Sequence, residues 1–167
     1  MFFASKLIDT LRDEHELMSY SIENIQDKSL DIEETKKSFD ELIPILESHN
    51  QRKEDVVYRY MLADPSLKDY ALAGLEEHHL IDLLVSELKL STVGSTQKWR
   101  TKAEVFASLL KRYIEIEEQE VLPAIKRLLT NETDEYLCKR YVRDNPVARK
   151  KIARKNRVST ATLNHRL

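Results

Sequence analysis

Four of the five histidines lie on or beside apolar stripes of helical spacing: His15, His49 and the adjacent pair His78 and His79. Imidazole is costly to repeat in an apolar interior, because each ring brings polar nitrogens that need partners. One ring on each of three stripes makes sense where the rings converge, and a metal ion held between helices is what such convergence serves. Glu117 adds a carboxylate on a fourth stripe. His15, His49, His78 and Glu117 together form a sensible donor set for one Fe(II) or Zn(II) ion. The competing reading treats each histidine as a hydrogen-bonded core residue, since buried polar groups normally find partners. His79 stands one residue off its stripe and is expected at the surface or behind a ligand.

The elements that must position these groups follow from apolar steps of three and four residues. A first helix is expected from Ser5 to Gln26, with Leu7, Leu11, His15, Met18, Ile22 and Ile25 inward. A second runs from Asp31 to Leu62 along Phe39, Leu42, Leu46, His49, Lys53, Val56 and Tyr60; Pro44 inside it predicts a kink or a break. Asp64-Pro65 supplies a cap and a first-turn proline for a third helix, whose stripe is Leu67, Ala71, Gly74, His78, Ile81, Val85 and Leu88. Gly74 there fits either the close approach of a neighbouring helix or ligand or, by preference, a packing accommodation. The stretch 91–96 reads as a loop. A fourth helix, Gln97 to Leu129, points Phe106, Leu109, Tyr113, Glu117, Glu120, Ala124 and Leu128 inward.

Short connections imply antiparallel neighbours, hence an all-α, up-down-up-down four-helix bundle. Measured from a shared end at roughly 1.5 Å per residue, His15, His49, His78 and Glu117 fall within about one turn of a common layer. The composition agrees: two glycines, four prolines and little room for a sheet in 167 residues. The bundle is expected over 1–132, and 133–167 as a basic extension with room for a short fifth helix.

With this order and spacing the chain resembles the hemerythrin-like (HHE cation-binding) family over about residues 5–130. The resemblance rests on Asp13-Glu14-His15, on His49 followed by Lys53-Glu54-Asp55-Val56-Val57-Tyr58, on Glu76-Glu77-His78 with Ile81 and Leu84, and on Glu117-Glu118-Gln119-Glu120-Val121-Leu122-Pro123. It implies a non-haem di-iron centre that binds oxygen, or senses oxygen, iron or nitric oxide. Two positions depart from the family pattern. Lys53 stands four residues after His49, where a bridging carboxylate is expected, and Tyr113 stands four before Glu117, where a histidine is expected. An ammonium cannot ligate and adds positive charge. The expectation is therefore one ion, iron before zinc, held by His15, His49, His78 and Glu117 for storage or for sensing a small diatomic ligand. Glu54 and Glu118 are weaker substitutes. The alternative is a metal-free regulatory or interaction module in which Lys53 pairs with Glu117, and Tyr113 and the imidazoles complete a hydrogen-bond network. Oxygen chemistry by an enzyme at a di-iron centre ranks below both, because of Lys53.

The net charge of −2 hides an asymmetry: residues 139–167 carry +9 and the rest −11. The run Arg149-Lys150-Lys151-Ile152-Ala153-Arg154-Lys155-Asn156-Arg157 fits either a nucleic-acid or acidic-protein contact or a solvated tail. Its lack of interleaved aromatics favours the tail. The single cysteine, Cys138, excludes an internal disulfide framework and fits a reducing compartment. No run approaches about 18 apolar residues, so a cytoplasmic protein with no membrane contact is expected. There is no glycine-rich phosphate loop and no nucleophile with a base at credible spacing.

Overall fold

The first two helices are started by side chains that satisfy orphan backbone N–H groups. A computed structural model describes residues 4–91 and 96–143. Helix α1 (Lys6–Gln26) is capped by Ser5, whose Oγ accepts the Ile8 N–H at 3.2 Å. All six residues expected on its inner stripe are buried. Helix α2 opens on a capping box: Asp31 accepts from the N–H groups of Glu33 and Glu34, and Glu34 accepts in return from that of Asp31, each at 2.9 Å. It runs as Ile32–Arg52, passes through a π-helical stretch Lys53–Tyr58, and finishes as Arg59–Leu62. The helix is not broken at Pro44. Pro44 and Asp40, whose carbonyl loses its N–H partner, both lie on the exposed face, where water can replace the bond.

Helix α3 (Lys68–Leu90) starts later than Asp64-Pro65 suggested. The Asp64 carboxylate accepts from the Ser66 N–H and Oγ at 2.8 and 2.6 Å, closing a turn before the helix begins. Its seven-residue stripe is buried throughout, from Leu67 to Leu88. Helix α4 runs Thr96–Ile116, then a π-helical stretch Glu117–Val121, then Leu122–Leu128. Leu109 and Glu120, both expected inward, face solvent, and Leu110 and Val121 take the core positions instead. Leu128 is also exposed at 40%, and Tyr60 of α2 is only half-buried. Bonding from i to i+5 turns residues five apart onto one face. Tyr58 therefore joins Lys53 inside, and Leu122 joins Glu117, a register that three- and four-residue steps do not anticipate. A fifth helix, α5 (Asn131–Arg143), spans the expected 132/133 boundary and packs against α1 and the π stretch of α2. Most of the expected 91–96 loop and all of the basic run 149–157 lie outside the described residues.

The result is an all-α, up-down-up-down bundle whose apolar interior is split in two. One core gathers Met18, Phe39, Leu46, Ile81, Phe106 and their neighbours. The other gathers Leu11, Val56, Ala71, Val121, Leu137 and theirs. Along each of the four bundle helices, a polar residue interrupts the stripe between these cores: His15, then His49 and Lys53, then His78, then Glu117. The polar layer is thus clamped from both ends by close-packed side chains that hold its geometry.

Candidate metal centre

All three imidazoles of the layer are held the same way. His15 Nδ1 lies 3.0 Å from Glu118, His49 Nδ1 2.8 Å from Glu14, and His78 Nδ1 2.7 Å from Glu54. A carboxylate accepts, so each Nδ1 carries the proton and each Nε2 turns a lone pair inward. Carboxylate-oriented imidazoles of this kind are the usual support for metal-ligating histidine.

Their inward nitrogens divide into two groups. His15 Nε2, His49 Nε2 and a Glu117 carboxylate oxygen lie within 4.8 Å of one another, and all three residues are buried. None of His15 Nε2, His49 Nε2 and Glu117 Oε2 has a hydrogen-bond partner among the described residues. His15 Nε2 and Glu117 Oε2 face each other at 3.2 Å without the alignment of a hydrogen bond. Two acceptors that close are reconciled by a cation, either a second proton on the ring or a metal ion. Asn50 and Arg100 also bury atoms without a hydrogen bond, the Arg100 Nε standing 4.0 Å from a Glu104 carboxylate oxygen.

His78 belongs to the second group. Its Nε2 accepts from the Tyr113 hydroxyl at 2.8 Å and lies 3.4 Å from that of Tyr58. Tyr113 in turn accepts from Tyr58 at 2.7 Å and from the Lys53 ammonium. That ammonium also donates to Glu117 Oε1 and rests over the Tyr58 and Tyr113 rings, 5.0 and 4.7 Å from their centroids. Gly74 makes room for this arrangement: a Cβ there would stand 2.7 Å from Tyr58 Cζ. Of the four residues expected to ligate, the fold brings three together and directs the fourth, His78, to Tyr113.

The charges follow from burial and pairing. Burial lowers His49 to about 4, against the pull of its Glu14 hydrogen bond, and burial with the Lys53 charge lowers His78 to about 3; both rings are neutral near pH 7. Burial would raise Glu14, but its bonds to His49, Arg52 and Tyr141 prevail and hold it at about 2. Burial likewise opposes the Glu117 charge, and the Lys53 ammonium overcomes it, keeping that carboxyl well below its usual range. Lys53 itself is pushed down by burial, with Glu117 resisting. The buried pair is an ion pair because each charge is the other's main compensation.

Four participants were not singled out as site residues from the sequence: Glu14, Arg52, Tyr58 and Tyr141. Glu14 and Tyr58 lie within the quoted motifs beside His15 and Lys53, so adjacency was an available signal. Arg52 shows none. Tyr141 sits four residues after Leu137 at helical spacing, inside the segment read as a tail.

Compared with known families, residues 6–125 match the profile described as the Hemerythrin HHE cation binding domain. The chain belongs to that family. Comparison with curated proteins and with solved structures gave no match. Membership implies cation binding, and the side chains of this HHE domain include a buried donor group that could hold a metal ion. The unpartnered atoms of His15, His49 and Glu117 suit a single divalent cation, while the Lys53 ammonium already satisfies the other Glu117 oxygen. No helix among the described residues of this hemerythrin-family chain is long and apolar enough to cross a membrane.

Proposed function

We propose that this chain binds one non-haem iron ion between α1, α2 and α4 through His15 Nε2, His49 Nε2 and Glu117 Oε2. We propose also that it serves iron storage or the sensing of oxygen, iron or nitric oxide. The observation that carries this reading is the convergence of three buried ligating atoms without hydrogen bonds. Two imidazoles and a carboxylate are the donor set of non-haem Fe(II) sites with open positions, and zinc accepts the same set. When bound, iron would supply a Lewis-acidic, redox-active centre able to take a diatomic ligand. The chain's own residues do the rest. Glu118 and Glu14 keep the two Nδ1 atoms protonated and aim both Nε2 lone pairs inward, and Lys53 balances the charge of Glu117. The single cysteine supports a reducing, cytoplasmic setting.

A second reading rests on the Lys53–Glu117 pair: the ammonium and a doubly protonated His15 satisfy Glu117, and the chain acts as a metal-free regulatory or interaction module. Metal analysis after anaerobic loading with Fe(II) separates the two, with an absorption spectrum taken on admission of air. One ion per chain, lost in His49→Ala, is expected. Two ions with an oxo-bridge band would remove the one-metal reading. No iron or zinc after loading would leave the metal-free module.

A further inference from the structure

Helix α5 lies outside the stretch that matches the family, yet it reaches the candidate centre. The Tyr141 hydroxyl donates to Glu14 Oε2 at 2.7 Å and lies 3.1 Å from His49 Nδ1. The same Glu14 oxygen accepts from His49 Nδ1 at 2.8 Å. Arg52 closes the arrangement, giving both Glu14 oxygens a hydrogen bond at 3.1 Å and stacking its guanidinium 4.4 Å from the Tyr141 ring centroid. Tyr141 is fully buried. The other end of α5 is tied down as well: Asp134 accepts from Ser5 Oγ and from the N–H groups of Lys6 and Leu7, the latter two at 2.8 and 3.3 Å. The helix is thus pinned at one end to the start of α1 and at the other to the carboxylate that orients a candidate ligand.

We propose that Tyr141 is a positioning residue for the metal centre, acting through Glu14 on His49, and that metal binding and the docking of α5 are coupled. This rests on the one-metal reading above. A phenol held on the carboxylate fixes which Glu14 oxygen meets His49 and hence the ring's aim. Undocking α5 withdraws that hydroxyl and exposes Glu14 and Arg52. By linkage, whatever tightens metal binding when α5 is docked must tighten docking by the same factor when metal is bound.

The test uses the full chain, Zn(II) titrated against a competing chelator, and hydrogen–deuterium exchange of 131–143 with and without the ion. Tyr141→Phe keeps the ring and its stacking and removes only the hydroxyl. It is expected to weaken Zn(II) binding by about tenfold or more, as loss of such outer partners generally does. Zn(II) is expected to slow exchange across 131–143 in the unaltered chain, and less in the variant. Tyr136→Phe, on the exposed side of the same helix, should change neither. Unaltered Zn(II) affinity in Tyr141→Phe, with exchange in α5 indifferent to the ion, overturns the coupling and leaves the metal site standing. A purely structural Tyr141 would lower the unfolding temperature without moving the affinity. If the unaltered chain binds no Zn(II), the underlying reading fails first and the coupling falls with it.

Discussion

The Lys53 ammonium occupies one oxygen of Glu117 while the other oxygen faces His15 Nε2 at 3.2 Å. One carboxylate on α4 therefore answers an ammonium from α2 and turns its remaining lone pairs toward two imidazoles. An ion pair buried this completely stands only because its charges meet, and the loss of either partner strands the other away from water.

Replacing Lys53 with Met should accordingly be expensive. Glu117 would keep its burial and lose its main compensating charge, and the expected loss is about 3–5 kcal/mol. Urea unfolding of the metal-free chain measures it, and a change below about 1 kcal/mol would sink the buried-pair assignment.

The division of the layer into two groups predicts different roles for two histidines. His49→Ala should abolish metal retention, whereas His78→Ala should keep most of it, because His78 Nε2 is engaged by Tyr113 rather than by the three-atom cluster. Metal content per chain after loading with Fe(II) or Zn(II) decides. Equal loss in both variants would put His78 back among the ligands.

Gly74 is needed for its lack of a side chain. Alanine normally gains about 1 kcal/mol over glycine inside a helix. Here the added carbon would collide with the buried Tyr58 ring. Overpacking typically costs about 1–3 kcal/mol, so Gly74→Ala should destabilise, or at best be neutral. A thermal melt that rises by several degrees would refute this.

Acid should weaken the metal-free fold in two stages. His49 and His78 sit at about 4 and 3 when folded, below their ordinary 6.5, so the unfolded chain takes up protons first. Stability then falls as pH drops from about 6.5 through those values, by about 3 kcal/mol for His49 and about 5 kcal/mol for His78. Glu14, at about 2 against an ordinary 4.5, adds a further loss between those two values. Denaturant midpoints measured from pH 7.5 down to 3 should fall steadily; a flat profile between 6.5 and 4.5 would contradict the neutral buried rings.

Asp134 caps a helix far away in sequence. Its carboxylate serves the N–H groups of Lys6 and Leu7 at the positive end of α1. Asp134→Ala should cost about 1–2 kcal/mol, with exchange speeding up at both the start of α1 and α5. Faster exchange confined to α5 would show that Ser5 suffices as the cap.

Much of this was legible before any coordinates. Periodicity placed His15, His49, His78, Lys53 and Glu117 on inner stripes, and the three histidines and Glu117 at one height, because helical pitch converts sequence spacing into position along a rod. Lys53 could also be named as the obstacle to a second ion, since ligand chemistry depends on residue type alone. What only the tertiary structure decided was which partner each inward atom meets. The π-helical stretches put Tyr58 beside Lys53 and moved Val121 into the place expected of Glu120, because i to i+5 bonding breaks the three-and-four rule on which stripes are drawn. Glu54, whose spacing from His49 placed it well round the helix, comes to orient His78 instead. Tyr141 reaches Glu14 across 127 residues of chain. No local pattern encodes that contact: it exists because α5 packs against α1, and docking depends on the complementarity of two surfaces that only the folded chain possesses.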